Sequence, residues 1–173
     1  MADSTTWKRN ARENDELMTQ TDQSALAYLA RRDVSVQWRD FLRALLETLD
    51  AQMDRSARDT LLRTVGERFA AMMPLAPSPT LAALEVRMNE ALAAAAWGQV
   101  LLELDERAHS LRVVHSAAPC ISSPGDEDGA WLGPVLEGLY SSWLSEQQGG
   151  DSGGATARLV TLEPGLATLR YGA

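Results

Sequence analysis

One stretch constrains this chain more than any other: Ala130-Trp131-Leu132-Gly133-Pro134-Val135-Leu136-Glu137-Gly138-Leu139-Tyr140-Ser141-Ser142-Trp143-Leu144. A proline in the first helical turn forfeits no hydrogen bond, because the N–H groups there have no intrahelical partner. With Pro134 in that turn, Val135, Leu136, Leu139, Tyr140, Trp143 and Leu144 fall at helical spacing on one broad face. So much aromatic surface on so short a segment must be buried, which predicts a helix at the centre of the core. Opposite lie Glu137, Gly138, Ser141 and Ser142. The small residues among them admit a closely approaching backbone, from a second packed layer or from a neighbouring copy of the chain.

The rest of the chain reads in order around that helix. Residues 1–23 are polar and carry charges of both signs, so they read as a mobile tail, with 24–173 as a single α+β domain. A short helix is expected from Ser24 through Leu26, Tyr28 and Leu29. The next is clearer. Trp38, Phe41, Leu42, Leu45, Leu46, Leu49 and Met53 follow the i, i+3, i+4, i+7 pattern of a core-facing helix. A third carries Leu61, Leu62, Val65, Phe69, Met72 and Met73, with Ser56-Ala57-Arg58-Asp59 as its capping box. Ser78-Pro79 has the form of an N-cap with proline at the first helical position, opening a fourth helix with Leu81, Leu84, Met88 and Leu92. Gly98 suits the left-handed residue that ends it.

Beyond Gly98 the period changes to two. Val100, Leu102 and Leu104 alternate with Gln99, Leu101, Glu103 and Asp105, and after a short connection Leu111, Val113 and His115 alternate with Arg112 and Val114. These are a hairpin. A loop over 117–129 leads to the central helix, and Gln147 to Gly154 forms a glycine-rich linker too polar to pack. Residues 157–162 and 167–171, joined by Pro164-Gly165, form a second hairpin. The expectation is an α+β fold of about five helices and an antiparallel four-stranded sheet made of two hairpins, in the order ααααββαββ, with the helices on one face.

Function is narrowed first by charge. A formal net charge of -8 and a pI near 4.7 argue against nucleic acid and anionic membrane surfaces, which need clustered Lys and Arg. The N-terminus has no apolar secretory run and no segment is long enough to span a bilayer, so a cytoplasmic address is expected. Cys120 is the single cysteine, and with only His109 and His115 beside it no zinc spacing can be written. No nucleophile elbow, phosphate loop or dinucleotide fingerprint occurs, so no cofactor is expected. His115 is a candidate general base, but on an alternating strand it reads as a half-buried, hydrogen-bonded residue. Glu137 is the best single carboxylate because apolar neighbours would raise its pKa, yet a glycosidase needs a second acid at a defined separation. Asp126, Glu127 and Asp128 read as a capping and solvating cluster. No catalytic residue is assigned.

The central stretch from Trp131 to Trp143 resembles the corresponding segment of the bacterial cellulose synthase D-subunit family. Trp97-Gly98-Gln99-Val100-Leu101-Leu102 with Arg112-Val113-Val114-His115, and Leu61-Leu62-Arg63-Thr64-Val65-Gly66, are similar to two further runs of that family. The resemblance implies a non-enzymatic accessory component in the cytoplasm, near the inner membrane. It also implies a homo-octamer, built from dimers, that arranges synthase components and β-1,4-glucan chains for crystalline cellulose. Trp7, followed by Lys8 and Arg9 in a segment with no core to join, is the one residue expected to contact a partner or glucan. Two other readings stand beside this one. A small-molecule sensor requires an apolar cavity between the central helix and the sheet, and a polysaccharide hydrolase requires paired acids.

Overall fold

The computed structural model describes residues 34–106, 108–123, 126, 129–147 and 154–172. Three helices come first, α1 (Val36–Gln52), α2 (Arg55–Met72) and α3 (Leu81–Ala94). The hairpin β1 (Gln99–Asp105) and β2 (Ser110–Ser116) follows, then α4 (Leu132–Ser145), then the hairpin β3 (Ala157–Glu163) and β4 (Leu166–Gly172). The helix expected around Leu26 and Leu29 falls outside the described residues, among which there are four helices. The α+β class and the two hairpins are as the periodicity predicts. Both hairpins join one antiparallel sheet in the order β1-β2-β4-β3.

The layers are set by α4. Leu136, Leu139, Tyr140 and Trp143 are fully buried, and the inward sheet residues Val113, Ala167 and Leu169 are equally so. Burying each large apolar side chain contributes about 2 kcal/mol relative to leaving it in water. The two tryptophans of the central stretch satisfy their indole N–H groups, Trp131 donating to the Ile121 carbonyl at 3.1 Å and Trp143 to the Met73 carbonyl at 3.0 Å. On its other side α4 packs against α2 at near backbone contact. A Cβ on Gly138 would strike the Arg63 carbonyl, and one on Gly66 would strike the Val135 carbonyl. The small residues opposite the aromatic face thus admit a layer of the same chain.

Helix ends differ from the sequence reading by a residue or two. The cap of α2 is Asp54, whose carboxylate accepts from the Ala57 amide at 2.9 Å, ahead of the expected Ser56–Asp59 box. Helix α3 is capped by Thr80, which accepts from Ala83 at 3.1 Å, so Ser78-Pro79 precede the helix. The Ser78 amide donates instead to the Gln147 side chain, which fixes the first residue of the supposed linker. At its C-terminus α3 closes with Trp97 N–H on the Leu92 carbonyl and Ala96 N–H on the Ala93 carbonyl. The left-handed residue there is Ala96, at φ 54°, with Gly98 at φ 84° beyond it.

Both sheet edges are occupied by helix side chains. On the β1 edge, Asn89 accepts from the Val100 N–H and donates to the Val100 carbonyl, both at 2.8 Å, and Glu85 accepts from Leu102 N–H at 2.7 Å. On the β3 edge, Glu137 accepts from Leu159 N–H and Ser141 from Ala157 N–H, each at 2.9 Å. The spacings explain the match. Two residues four apart on a helix are separated by about 6 Å along its axis, and two strand residues two apart by about 6.6 Å.

Helix α1 contradicts its reading as a core-facing element. Its only buried residue is Leu46, whereas Trp38, Phe41 and Leu45 are 54%, 57% and 44% exposed. Three of the seven stripe residues face outward, while Leu42, Leu49 and Met53 are half-buried, because α1 touches the rest of the chain mainly through Leu42, Leu46 and polar bonds, Arg43 to the Ser122 carbonyl and Asp50 to Arg58. Helix α2 divides in a similar way. Leu62, Gly66 and Ala70 face α4 and the core, while Leu61, Val65 and Met72 are exposed.

Candidate functional site

His115 is fully buried on β2, and both its ring nitrogens are engaged. The Trp97 carbonyl, 2.8 Å from Nε2, can only accept, so Nε2 carries the proton and Nδ1 accepts from the Tyr140 hydroxyl. Burial pushes the imidazole pKa down to about 4 and the Tyr140 phenol up. A neutral imidazole so held ties β2 to α4 and to the end of α3. Its ring has no exposed surface from which to act on a substrate as a general base.

Glu137 has polar neighbours rather than the apolar ones expected. Its Oε2 takes a two-pronged bond from Arg63, at 2.7 and 3.1 Å, with Arg158 at 3.9 Å, while Oε1 holds the Leu159 amide. The carboxylate therefore links three elements, α2, α4 and β3. Asp126 accepts from the Ala130 and Trp131 amides at 2.6 and 3.3 Å just ahead of α4, whose first turn has no side-chain cap. Glu127, Asp128 and Trp7 lie outside the described residues. Cys120 is buried, and His109 sits in the β1–β2 connection at φ 46°. No group of three or more His, Cys, Asp or Glu among the described residues is arranged to hold a metal.

The sensor reading asked for space between α4 and the sheet. Tyr140, Leu136, Leu139, His115 and Leu169 occupy that space, each fully buried. One surface cleft is lined largely by charge, by Asp50, Asp54, Arg55, Arg58 and Asp126, and another opens where α2, α4 and the β3 edge meet, lined by Arg55, Asp59, Arg63 and Glu137 together with Pro134, Leu159 and Leu162.

What the surface does present is apolar. Trp38, Phe41 and Leu45 on α1 and Leu61, Val65 and Met72 on α2 keep between 41% and 78% of their surface in solvent. Trp38 and Phe41 meet edge to face, centroids 5.7 Å apart and planes at 78°. Crossed rings are a poor platform for one flat sugar ribbon but a good wedge between the side chains of another helix. The sequence reading found these residues but assigned most of them to the core. It missed Arg63, Glu85 and Asn89; the i, i+4 pair Glu85 and Asn89 on an otherwise apolar helix was the available signal.

The fold and its polar groups define a small α+β protein whose buried ionisable side chains bind its own layers together, with no described helix long and apolar enough to cross a membrane. Residues 24–172 match the family model for the D-subunit of cellulose synthase. The chain belongs to the cellulose synthase D-subunit family. It is 40% identical over 109 residues to a cellulose synthase operon protein D of Komagataeibacter xylinus, covering 63% of this chain and 70% of that one. Another protein of that name from the same species, and one from Komagataeibacter sucrofermentans, are each 38% identical over the same shares. The chain's place in cellulose synthesis follows from this membership.

Proposed function

We propose that the protein is a non-catalytic scaffold of bacterial cellulose synthesis, a closed homo-oligomer that arranges synthase components and nascent β-1,4-glucan for crystalline cellulose. The observation that carries this reading is the pair of outward apolar stripes on α1 and α2. Their exposed side chains amount to roughly 600 Å² per copy, close to the ~800 Å² per partner of a standard interface. A two-fold contact of these helices gives a four-helix layer, and dimers so formed are the building block of the octamer. The candidate acid and base support the non-enzymatic part, since Glu137 and His115 are held within the architecture. We place the assembly in the cytoplasm beside the synthase. Residues 1–23, with Trp7, act there as a tail that contacts glucan or another synthase component.

Light scattering on the full chain and on Phe41→Glu and Val65→Glu variants tests this, with circular dichroism confirming that each variant folds. A multimer that falls to smaller species, together with reduced yield and crystallinity of cellulose in cells carrying the variants, is expected. A wild-type monomer at micromolar concentration overturns the reading. Trp7→Ala and deletion of residues 1–23 test the tail; unchanged cellulose in both removes it from the function.

A further inference from the structure

The face of the sheet turned away from the helices carries two parallel rows of side chains. Pairing aligns Arg112 with Arg170 and Arg170 with Arg158, so three guanidinium groups stand side by side across β2, β4 and β3. All three are exposed, and the residues flanking them along each strand, such as Val113, Leu169 and Ala157, point into the core. Two residues away on β1, β2 and β4, and three away on β3 across a register shift, Leu101, Val114, Thr168 and Thr161 form a second row. Leu101 is 48% exposed.

A row of like charges on paired strands is unfavourable unless something neutralises it. Neighbouring strands are only about 4.8 Å apart. Glu103, aligned with Arg112, bonds to it at 2.6 Å and lines one cleft with it together with Asp105 and Glu106, while Glu137, already held by Arg63, lies 3.9 Å from Arg158. The two ends of the row thus face carboxylates, and its positive charge is least compensated at Arg170, on a chain whose net charge is -8.

We propose that this open face docks an acidic amphipathic helix of a partner protein. Carboxylates three and four residues apart on a helix recur at about 5–6 Å, close to the strand repeat, so a helix laid across the strands meets one guanidinium per turn. Its apolar residues then rest on the Leu101–Val114 row. A neutral glucan leaves the guanidinium charge uncompensated.

The test measures binding of a fluorescent helical peptide, with Glu at every third or fourth position beside a Leu stripe, to the full-length protein by anisotropy. The control is the same peptide with Gln for Glu. Expected is a preference of about tenfold or more for the Glu peptide, weakened by salt and abolished by Arg170→Glu. Arg170→Gln, the milder change, lowers the preference while leaving the urea midpoint and circular dichroism as in the wild type. Equal binding of both peptides, or an Arg170→Glu protein that keeps the preference, overturns the proposal. So does displacement of the Glu peptide by the same concentration of inorganic phosphate, which identifies a small-anion site. Light scattering on the same samples separates this face from the α1–α2 contact. If Arg170→Glu breaks the oligomer and leaves peptide binding unaltered, the row belongs to a second copy and the proposal fails.

Discussion

Gly66 and Gly138 are reciprocal: a Cβ on either would strike the carbonyl three residues before the other, at Val135 and Arg63 respectively. Two helices meeting this way bring their backbones together without intervening side chains. The contact sets the spacing between α2 and the aromatic helix, and through it the depth of the whole core.

Because the obstructing atoms are backbone, they cannot rotate away. Gly66→Ala and Gly138→Ala should each cost about 3 kcal/mol or more, despite alanine's better helix propensity. Gly133→Ala is the informative contrast, since its Cβ would meet Leu159 Cδ2 at 2.7 Å, the movable end of a side chain. Urea unfolding of the three variants should show a much smaller loss for Gly133→Ala.

The His115–Tyr140 pair predicts a pH dependence. An unfolded histidine takes up its proton as pH falls through about 6.5, whereas folded His115 resists until about 4. Between those values the unfolded state binds more protons, so stability is lost as pH falls. The loss amounts to about 3 kcal/mol across the window. His115→Gln should be less stable than wild type at pH 7, and the difference between the two should shrink on acidification toward pH 4. A constant difference by chemical denaturation would assign the pH sensitivity elsewhere.

What could be read from the sequence was local. The period-two runs with Pro164-Gly165 between them gave both hairpins, and Val135, Leu139 and Trp143 gave the buried face of α4, because spacing alone decides these. The stripe of Trp38, Phe41 and Leu45 was visible too, but amphipathicity says only that a face seeks cover and does not name the cover. Glu137 escaped its true reading because the guanidinium it meets, Arg63, lies 74 residues away. Asp54 and Thr80 displaced the expected caps because rival acceptors within a few residues are separated by geometry that a sequence leaves open.

Ala96 occupies the left-handed position that ends α3, where a Cβ is strained and glycine is not. The two closing hydrogen bonds use only backbone and survive substitution. Ala96→Gly should therefore stabilise the protein by about 0.5–1 kcal/mol, seen as a higher urea midpoint with unchanged slope.

The edge bonds of β1 offer a further test. Asn89→Ala leaves the Val100 N–H and carbonyl unanswered, and Glu85→Ala does the same to the Leu102 N–H. Each should cost about 1–3 kcal/mol. The double variant should also aggregate with time, followed by thioflavin fluorescence, because an unprotected edge accepts another strand. Unchanged solubility of the double variant would show that the edge needs no such cover.

Those occupied edges also decide what kind of information can govern association. A bare strand pairs through amide groups common to every residue, so it scarcely distinguishes its own kind from a stranger. Covering one stretch of each margin of the sheet with Glu85, Asn89, Glu137 and Ser141 shifts association towards surfaces whose identity is written in side chains. Recognition on such a molecule can be selective, and can be changed by evolution one residue at a time without touching the hydrogen bonds that hold the sheet.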